Sequence, residues 1–217
     1  MKQLEVSTAY QFVQNVLDEL TNTGEAVDLA SDTTDIEKLV EGALVEAVVT
    51  THMGALAVLV DGVVGEDGSD YESELSEDGV VKITMMTDTL RVVSVQAEDS
   101  AEVVADIFPE NSPEARKQLN KYTRGVYDDP AVVMLKRREE DYKPVLKYYS
   151  TEAVACPEMT VEYIPYPVLD EGSVKICPKL EYAVLNEVAA MVLDAVNESQ
   201  KAAIYRAKAK SMIGGEQ

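Results

Sequence analysis

The fold is decided first by residues 34–49, which read TDIEKLVEGALVEAVV. Apolar side chains recur there at the spacing of one helix face, so the stretch predicts an amphipathic helix. Thr34 followed by Glu37 is a capping-box pattern, which predicts that the helix begins at this point. The helix can end at Gly54.

A second capping-box pattern lies near the N-terminus, where Thr8 is followed by Gln11. The apolar residues after it keep the helical period to about Leu20, and Gly24 favours a stop. The stretch therefore predicts a helix that precedes the one at residues 34–54. Residues 56–60 are either a continuation of that later helix or a short buried strand, because periodicity does not decide over so few positions.

The C-terminal part of the chain predicts another pair of helices. One begins at Pro178 and carries an apolar stripe to Ala195. The polar residues 197–199 interrupt the pattern, and a second helix follows from Gln200 to about Met212, before Gly214 and Gly215.

The middle of the chain favours strands. Short runs rich in Val, Tyr and Leu, bounded by Pro, Gly or Asp, predict strands at residues 80–86, 90–96, 131–136, 144–150 and 159–166. Ser112 and Pro113 predict the start of a short helix over residues 113–124, with Gly125 as its stop. Residues 61–79 contain four glycines and eight acidic residues, a composition that predicts an exposed, mobile loop.

These elements predict an α+β fold, in which the N- and C-terminal helix pairs form a helical bundle and the middle of the chain is an inserted antiparallel β-rich domain. Each helix pair needs a partner for its apolar face, and packing the pairs on each other satisfies both. The predicted boundaries place residues 1–54 and 175–217 in the bundle. The β-rich insertion covers residues 55–174, with the acidic loop 61–79 and the helix 113–124 inside it.

The composition excludes several classes of protein. With 217 residues, 46% of them hydrophobic, the chain is long and apolar enough to bury a core. A net charge of −21 repels phosphate, so binding to nucleic acid as a primary role is not expected. No apolar run reaches the ~20 residues needed to cross a bilayer, and residues 1–6 lack the pattern of a signal peptide. We therefore expect a soluble, unexported protein with no membrane partner.

The charge is unevenly distributed along the chain. Residues 1–100 contain 4 basic and 21 acidic residues, whereas residues 201–210 contain basic residues and no acidic ones. Such a basic segment on an acidic chain predicts either self-association or an ordinary solvated helix face. The eleven tyrosines, most of them in the second half of the chain, suit sheet packing and subunit contacts alike.

No catalytic or metal-binding pattern is evident in the sequence. The only histidine, His52, has no cysteine near it in the sequence, and we expect it to have a structural or surface role. Cys156 and Cys177 lack Cys-x-x-Cys spacing and predict reduced, packed thiols, with a disulfide as the alternative. The acidic run beginning at Glu66 fails the EF-hand pattern because Glu72 stands at the position of the turn glycine, which leaves non-specific cation binding as the alternative to a solvated loop. We expect no enzyme, no cofactor and no metal.

Five short motifs, in this order, carry a resemblance to a known family. They are DTLRVVS at 88–94, FPENSP at 108–113, NKYTRG at 120–125, LKYYS at 146–150 and YIPYP at 163–167. Over roughly residues 88–214 the chain resembles the neck ring proteins of crAss-like bacteriophages of gut Bacteroidetes. The order of its elements is more distantly similar to the tail tubular protein A adaptors of short-tailed phages. The chain departs from the family by carrying acidic rather than basic residues at 98, 99 and 102.

The resemblance implies a structural virion protein of the neck or tail, assembled in the host cytoplasm as a head-to-tail adaptor. Its partners would be about twelve copies of itself in a closed ring, the portal protein and other neck or tail ring proteins. Double-stranded DNA would pass through the ring without specific binding. The alternative, from another class, is a small-molecule or carbohydrate-binding β module with helical support.

A ring of this kind predicts two sets of functional residues, because each subunit needs two different complementary faces. The predicted subunit interface comprises Lys201, Tyr205, Arg206, Lys208, Lys210, Tyr122 and Arg124. The residues predicted to line the channel or to meet a neighbouring ring are Glu66, Asp67, Asp70, Glu72 and Glu74.

Overall fold

The computed structural model describes residues 1–22, 33–76, 78–126, 128–135, 143–150 and 155–214. The chain divides into two compact units. Met1–Asp61 and Pro167–Gln217 form the first, called here the helical unit, and Gly62–Tyr166 form the second, called the β unit. The predicted helix stop at Gly24 and the predicted strand end at Lys136 lie outside the described residues.

The secondary structure of the described residues comprises ten strands, five α-helices and two 3₁₀ turns. In chain order, the elements of the first half are β1 (Lys2–Glu5), α1 (Val6–Asn22), α2 (Thr33–Gly54), a 3₁₀ turn (Ala57–Leu59), β2 (Val63–Val64), β3 (Tyr71–Leu75), β4 (Val80–Met85), β5 (Thr89–Ala97) and β6 (Ile107–Pro109). The second half contains α3 (Pro113–Gln118), β7 (Ala131–Met134), β8 (Val145–Tyr149), β9 (Met159–Pro165), β10 (Ser173–Ile176), a 3₁₀ turn (Pro178–Leu180), α4 (Glu181–Ala195) and α5 (Ser199–Met212).

The predicted fold class, a helical bundle with an inserted antiparallel β-rich domain, is wrong. The chain is a mixed α/β protein whose described strands form three sheets, most of them antiparallel. One of these sheets, β1 with β10, belongs to the helical unit itself, and β6 pairs with β7 in parallel. The sequence pattern missed the two-stranded sheet because each strand has four residues, too few to show an alternation, and its partner lies about 170 positions away.

The helical unit is built around α4. Residues 183–190 of this helix are all buried, as expected for a helix that is covered on every side. It packs against α1, α2 and α5, and the apolar stripes of α1 and α2 are buried in the same core. Most apolar residues of these two predicted stripes are therefore buried or partly buried, whereas Leu39 of α2 is exposed.

The β unit contains a five-stranded sheet of order β3-β4-β8-β7-β6 and a three-stranded sheet of order β2-β9-β5. Alternate residues of β4, namely Val81, Ile83 and Met85, share one core with Val95 and Val161 of the other sheet. The two sheets thus pack face to face. The opposite face of the five-stranded sheet is covered at one end by α3, where Ala115 packs on Val80, Val133 and Tyr149.

The interpretation of residues 61–79 as a mobile loop is wrong, because β2 and β3 lie in this segment. Tyr71 of β3 is buried between the sheets, and its hydroxyl donates a hydrogen bond to the carbonyl of Met159. The composition suggested disorder because acidic residues surround this tyrosine in the sequence. In the fold, the strand exposes Glu72 and Glu74 on one face and buries Tyr71 on the other.

The helix predicted over residues 113–124 is shorter than expected. Ser112 caps α3 through its side chain, which accepts a hydrogen bond from the N–H of Ala115 at 3.0 Å, but the helix ends at Gln118. The Thr123 hydroxyl donates to the carbonyl of Lys117 at 2.8 Å and closes an irregular turn instead of a third helical turn. Residues 57–59, where the sequence left a helix or a strand open, form a 3₁₀ turn.

Candidate interaction surfaces

The basic segment of α5 is partly neutralised within the chain. The guanidinium of Arg206 lies 3.4 Å from the carboxylate of Glu187 and 2.7 Å from that of Asp194, both on α4. These two carboxylates raise the pKa of Arg206, with the hydrogen bond to Asp194 as the largest cause. Since the side chain of Glu187 is only 6% exposed, Arg206 is needed inside the unit to balance a buried charge.

The other basic residues of α5 differ in how exposed their charged groups are to a partner protein. Lys201 forms a salt bridge of 3.3 Å with Glu198, one turn away, and its side chain is mostly buried. The ammonium of Lys208 lies 4.3 Å above the ring of Tyr205, and Lys208 and Lys210 are both exposed. The predicted basic interface therefore reduces to Lys208 and Lys210.

An exposed apolar surface, called here the helix-end patch, lies where the C-terminal ends of α2 and α5 meet the start of α4. It consists of Met53, Leu56, Tyr182 and Met212, whose exposed fractions range from 45% to 66%. Asn186 connects two of these residues, because its side-chain amide donates to the carbonyl of Tyr182 at 2.7 Å and lies 3.9 Å from the sulfur of Met212.

The segment of the patch that carries Leu56 is held in place by a backbone hydrogen bond. The N–H of Leu56 donates to the carbonyl of Ile213 at 3.2 Å, which joins the residues after α2 to the end of α5. Gly214 has a φ of +84°, and a Cβ at this position would lie 2.4 Å from Leu56. Contacts among three separate segments therefore hold the parts of the chain that carry Leu56, Tyr182 and Met212 near one another.

Tyr122 and Arg124, the two predicted interface residues outside α5, lie in the β unit, in the turn after α3. Tyr122 is 83% exposed, and the ammonium of Lys121 lies 5.0 Å from its ring centre. Arg124 is directed inward instead, and its guanidinium donates to the carbonyl of Asp78 at 3.0 Å. The structure does not bring Tyr122 and Arg124 together with the basic residues of α5 in one unit.

The five predicted channel residues are ordered parts of the β unit. Asp70 accepts a hydrogen bond from the N–H of Glu66 at 3.0 Å, and Asp67 accepts one from the hydroxyl of Ser73 at 3.1 Å. Both bonds close the turn that precedes β3. Glu72 and Glu74 follow on the exposed face of β3, where Glu74 lies 3.9 Å from the ammonium of Lys82. Glu66, Asp67 and Asp70 therefore lie in a turn, as part of the predicted loop, whereas Glu72 and Glu74 lie on a strand; together these carboxylates form an acidic surface.

His52 has a structural role, as the sequence predicted. It is fully buried, and its two ring nitrogens contact the carbonyl of Val48 and the N–H of Cys177, each at 2.9 Å. Neither cysteine forms a disulfide. Cys177 is buried as predicted, whereas Cys156 is exposed, so the expectation of a packed thiol is wrong for Cys156.

A pocket of about 410 Å³ beside α3 is lined by four carboxylates together with Lys117 and Arg124, and by neither histidine nor cysteine. Nowhere in the described ranges do three His, Cys, Asp or Glu side chains converge as metal ligands would. No helix of the described chain is both long and apolar enough to cross a bilayer.

Sequence reasoning missed the helix-end patch, because its four residues come from segments up to 159 positions apart. It also missed Lys82 and Lys147, which lie opposite each other on β4 and β8. The only sequence signal for this lysine pair was a single basic residue within each of the predicted strands 80–86 and 144–150. Comparison with known proteins adds no identification: no protein-family model matches the chain, and no curated protein is similar enough to count as a match.

Proposed function

We propose that this protein is a structural virion subunit, a head-to-tail adaptor that assembles into a ring between the portal protein and the tail. The proposal rests on the resemblance of residues 88–214 to phage neck ring proteins and, in the structure, on the helix-end patch. It includes no catalytic activity. The other proposed partners are further neck or tail ring proteins, and DNA passes through the ring without specific binding.

The helix-end patch is the observation that carries the proposal. Isolated exposed apolar residues are common on monomers, but large ones that lie together mark interaction sites. Burying the exposed half of each side chain contributes about 1 kcal/mol, so four of them supply about 4 kcal/mol per interface. This is a large part of the free energy needed for an association that is repeated around a ring.

The charges of the chain support a conduit for DNA. With a net charge of −21, the chain repels the DNA backbone wherever carboxylates lie within a Debye length of about 10 Å. The acidic surface formed by Glu66, Asp67, Glu72 and Glu74 is suited to such a channel wall. Lys208 and Lys210, exposed on α5, are suited to contact an acidic surface of the neighbouring subunit.

The test is the mass of the purified protein, measured by mass photometry and analytical ultracentrifugation, alone and with the portal protein. We expect a ring of many copies, alone or on the portal. The double variant Leu56→Ser and Tyr182→Ser should weaken assembly at least tenfold while the helical content stays unchanged. Val103→Ser, which removes an apolar side chain of similar exposure in the β unit, is the matched control.

Two results would contradict the proposal. One is a protein that stays monomeric at all concentrations, both alone and with the portal. The other is assembly that the double variant leaves unchanged, which would remove the helix-end patch from the interface. Assembly that is lost equally in Val103→Ser would also count against the patch.

A further inference from the structure

A pocket of about 280 Å³ lies on the outer face of the five-stranded sheet, beside the end of α3. Its wall includes Lys82 of β4, Lys147 and Tyr149 of β8, and Arg124 from the turn after α3. Asp78, in the turn between β3 and β4, is the one carboxylate in the described lining. Three cations therefore face one anion in a chain whose net charge is −21.

The two lysines are placed against each other by the strand register. Lys82 lies directly opposite Lys147 in the antiparallel pair of β4 and β8, so both side chains point to the same face. Like charges in this position destabilise a sheet. Lys82 has Glu74 at 3.9 Å, but Lys147, which is half-buried, forms no salt bridge with any residue in the described ranges. An anion between the two ammonium groups would remove the repulsion.

Arg124 and Tyr149 supply further donors. The Nε of Arg124 is buried and, among the described residues, has no hydrogen-bond partner. A buried donor without a partner costs about 1–3 kcal/mol, which favours a ligand that accepts a hydrogen bond. Burial raises the pKa of Tyr149 above its ordinary value, so its hydroxyl keeps its proton and can donate.

The carboxylate of Asp78 neutralises only part of the positive charge in the pocket lining. It accepts a hydrogen bond from the Ser76 hydroxyl at 2.6 Å, which is the main reason that its pKa is lowered, and Arg124 and Lys147 lower it further. Asp78 is therefore ionised and close to both cations. The lining still has an excess of positive charge.

We propose that this pocket binds one anionic oxygen group, a phosphate or a carboxylate. The volume lies just below the range of about 300–1,000 Å³ typical of pockets for whole drug-sized molecules, which favours a single charged group. Lysine and arginine together provide the charge-assisted hydrogen bonds that such oxygens accept most strongly. The group comes either from a free anion or from an acidic side chain of a second copy of this chain, and the second source rests on the proposed function.

Binding of inorganic phosphate to the full chain, measured by isothermal titration calorimetry at constant ionic strength with chloride as the reference, tests the pocket directly. We expect one site per chain. Lys147→Gln should weaken the affinity about tenfold, as the loss of one charge-assisted hydrogen bond predicts. Lys175→Gln is the matched control, because Lys175 is an exposed strand lysine in the helical unit and its replacement changes the net charge equally.

Assembly distinguishes the two sources. If a carboxylate of a second copy occupies the pocket, Lys147→Gln lowers the assembled fraction in chloride, and phosphate dissociates wild-type assemblies. If a free anion occupies it, phosphate binds without changing the mass of the particles. Should the chain fail to assemble at all, the proposed function falls, and phosphate binding alone decides the pocket.

The proposal is overturned if wild type and Lys147→Gln bind phosphate equally, or if phosphate does not bind and Lys147→Gln assembles like wild type. Circular dichroism and thermal unfolding in chloride check the fold of each variant. Lys82→Gln, at a more exposed position of the same pair, repeats the test if Lys147→Gln does not fold.

Discussion

The Nε2 of His52, on α2, accepts a hydrogen bond from the backbone N–H of Cys177 at 2.9 Å. The other ring nitrogen, Nδ1, lies 2.9 Å from the carbonyl of Val48 and therefore carries the proton. The imidazole is thus held neutral between α2 and the residue that follows β10. A protonated ring would have no acceptor atom for the Cys177 N–H.

This arrangement predicts a stability that decreases in acid. Burial lowers the pKa of His52 below its ordinary value of 6.5, although the Val48 carbonyl acts in the opposite direction. The unfolded chain therefore takes up a proton at a higher pH than the folded chain, and the contribution of His52 to stability begins to fall near its ordinary pKa of 6.5 and is lost as the pH falls through the lower pKa of the folded state. We expect the free energy of unfolding, measured with urea, to fall between about pH 7 and pH 5 more steeply in wild type than in His52→Gln. Equal slopes would contradict a buried neutral imidazole.

Replacing Arg206 tests its role inside the helical unit. Arg206→Met leaves the buried carboxylate of Glu187 without its cation, and we expect a loss of about 2 kcal/mol in the free energy of unfolding. Lys210→Met, an exposed position on the same helix, should change it by less than about 0.5 kcal/mol. In the Arg206→Met background, Glu187→Gln should restore part of the loss, because it removes the buried charge. Equal losses in the free energy of unfolding for Arg206→Met and Lys210→Met would show that Arg206 does not stabilise the buried carboxylate of Glu187.

Two glycines should respond to alanine with opposite signs. A Cβ on Gly125 would lie 2.7 Å from the N of Ala131 and 2.8 Å from the carbonyl oxygen of Tyr149, both backbone atoms, so Gly125→Ala should destabilise the protein by about 1–3 kcal/mol. Gly42 lies exposed within α2 with nothing within 4 Å of its Cβ position. Gly42→Ala should therefore stabilise by about 0.5–1 kcal/mol. Thermal and urea unfolding measure the change in stability of each variant. A change of the same sign in both would contradict the predicted close contacts of Gly125.

The two thiols should differ in their reactivity with a thiol reagent such as DTNB. Cys156 is exposed, whereas Cys177 is buried and its sulfur lies 3.3 Å from the carbonyl oxygen of Leu59. We expect one thiol to react within minutes in the native protein and the second only on unfolding. Cys156→Ser should abolish the rapid phase. A rapid phase that persists in this variant would place Cys177 at the surface.

The helices could be predicted from the sequence because their decisive contacts repeat at short range. Val40, Leu44 and Val48 mark one face of α2, and all three are buried in the core. The strands at Val80 and Ala131 were found for a similar reason, since each is a short apolar run between turn residues. In contrast, Tyr71 is one buried residue among acidic ones, and its partner Met159 lies 88 positions away.

The candidate surfaces depended still more on long-range contacts. The sequence showed that Arg206 and Lys210 are both basic. It did not show that Glu187 of α4 forms an ion pair with Arg206, or that no carboxylate of α4 forms one with Lys210. The pairing of Lys82 with Lys147 follows from the register of two strands that are 65 positions apart. A shift of one residue would turn one of these lysines to the opposite face of the sheet.

By itself, the sequence determined where the four long helices lie, which segments are apolar enough to form a core, and that the chain is strongly acidic. These properties depend on residue type and on spacings of two to four positions. Only the tertiary structure decided which strands pair, which charges are neutralised within the chain, and where exposed apolar and basic side chains come together. Those features arise from contacts between distant segments. Such contacts form, and contribute free energy, only when the backbone has folded.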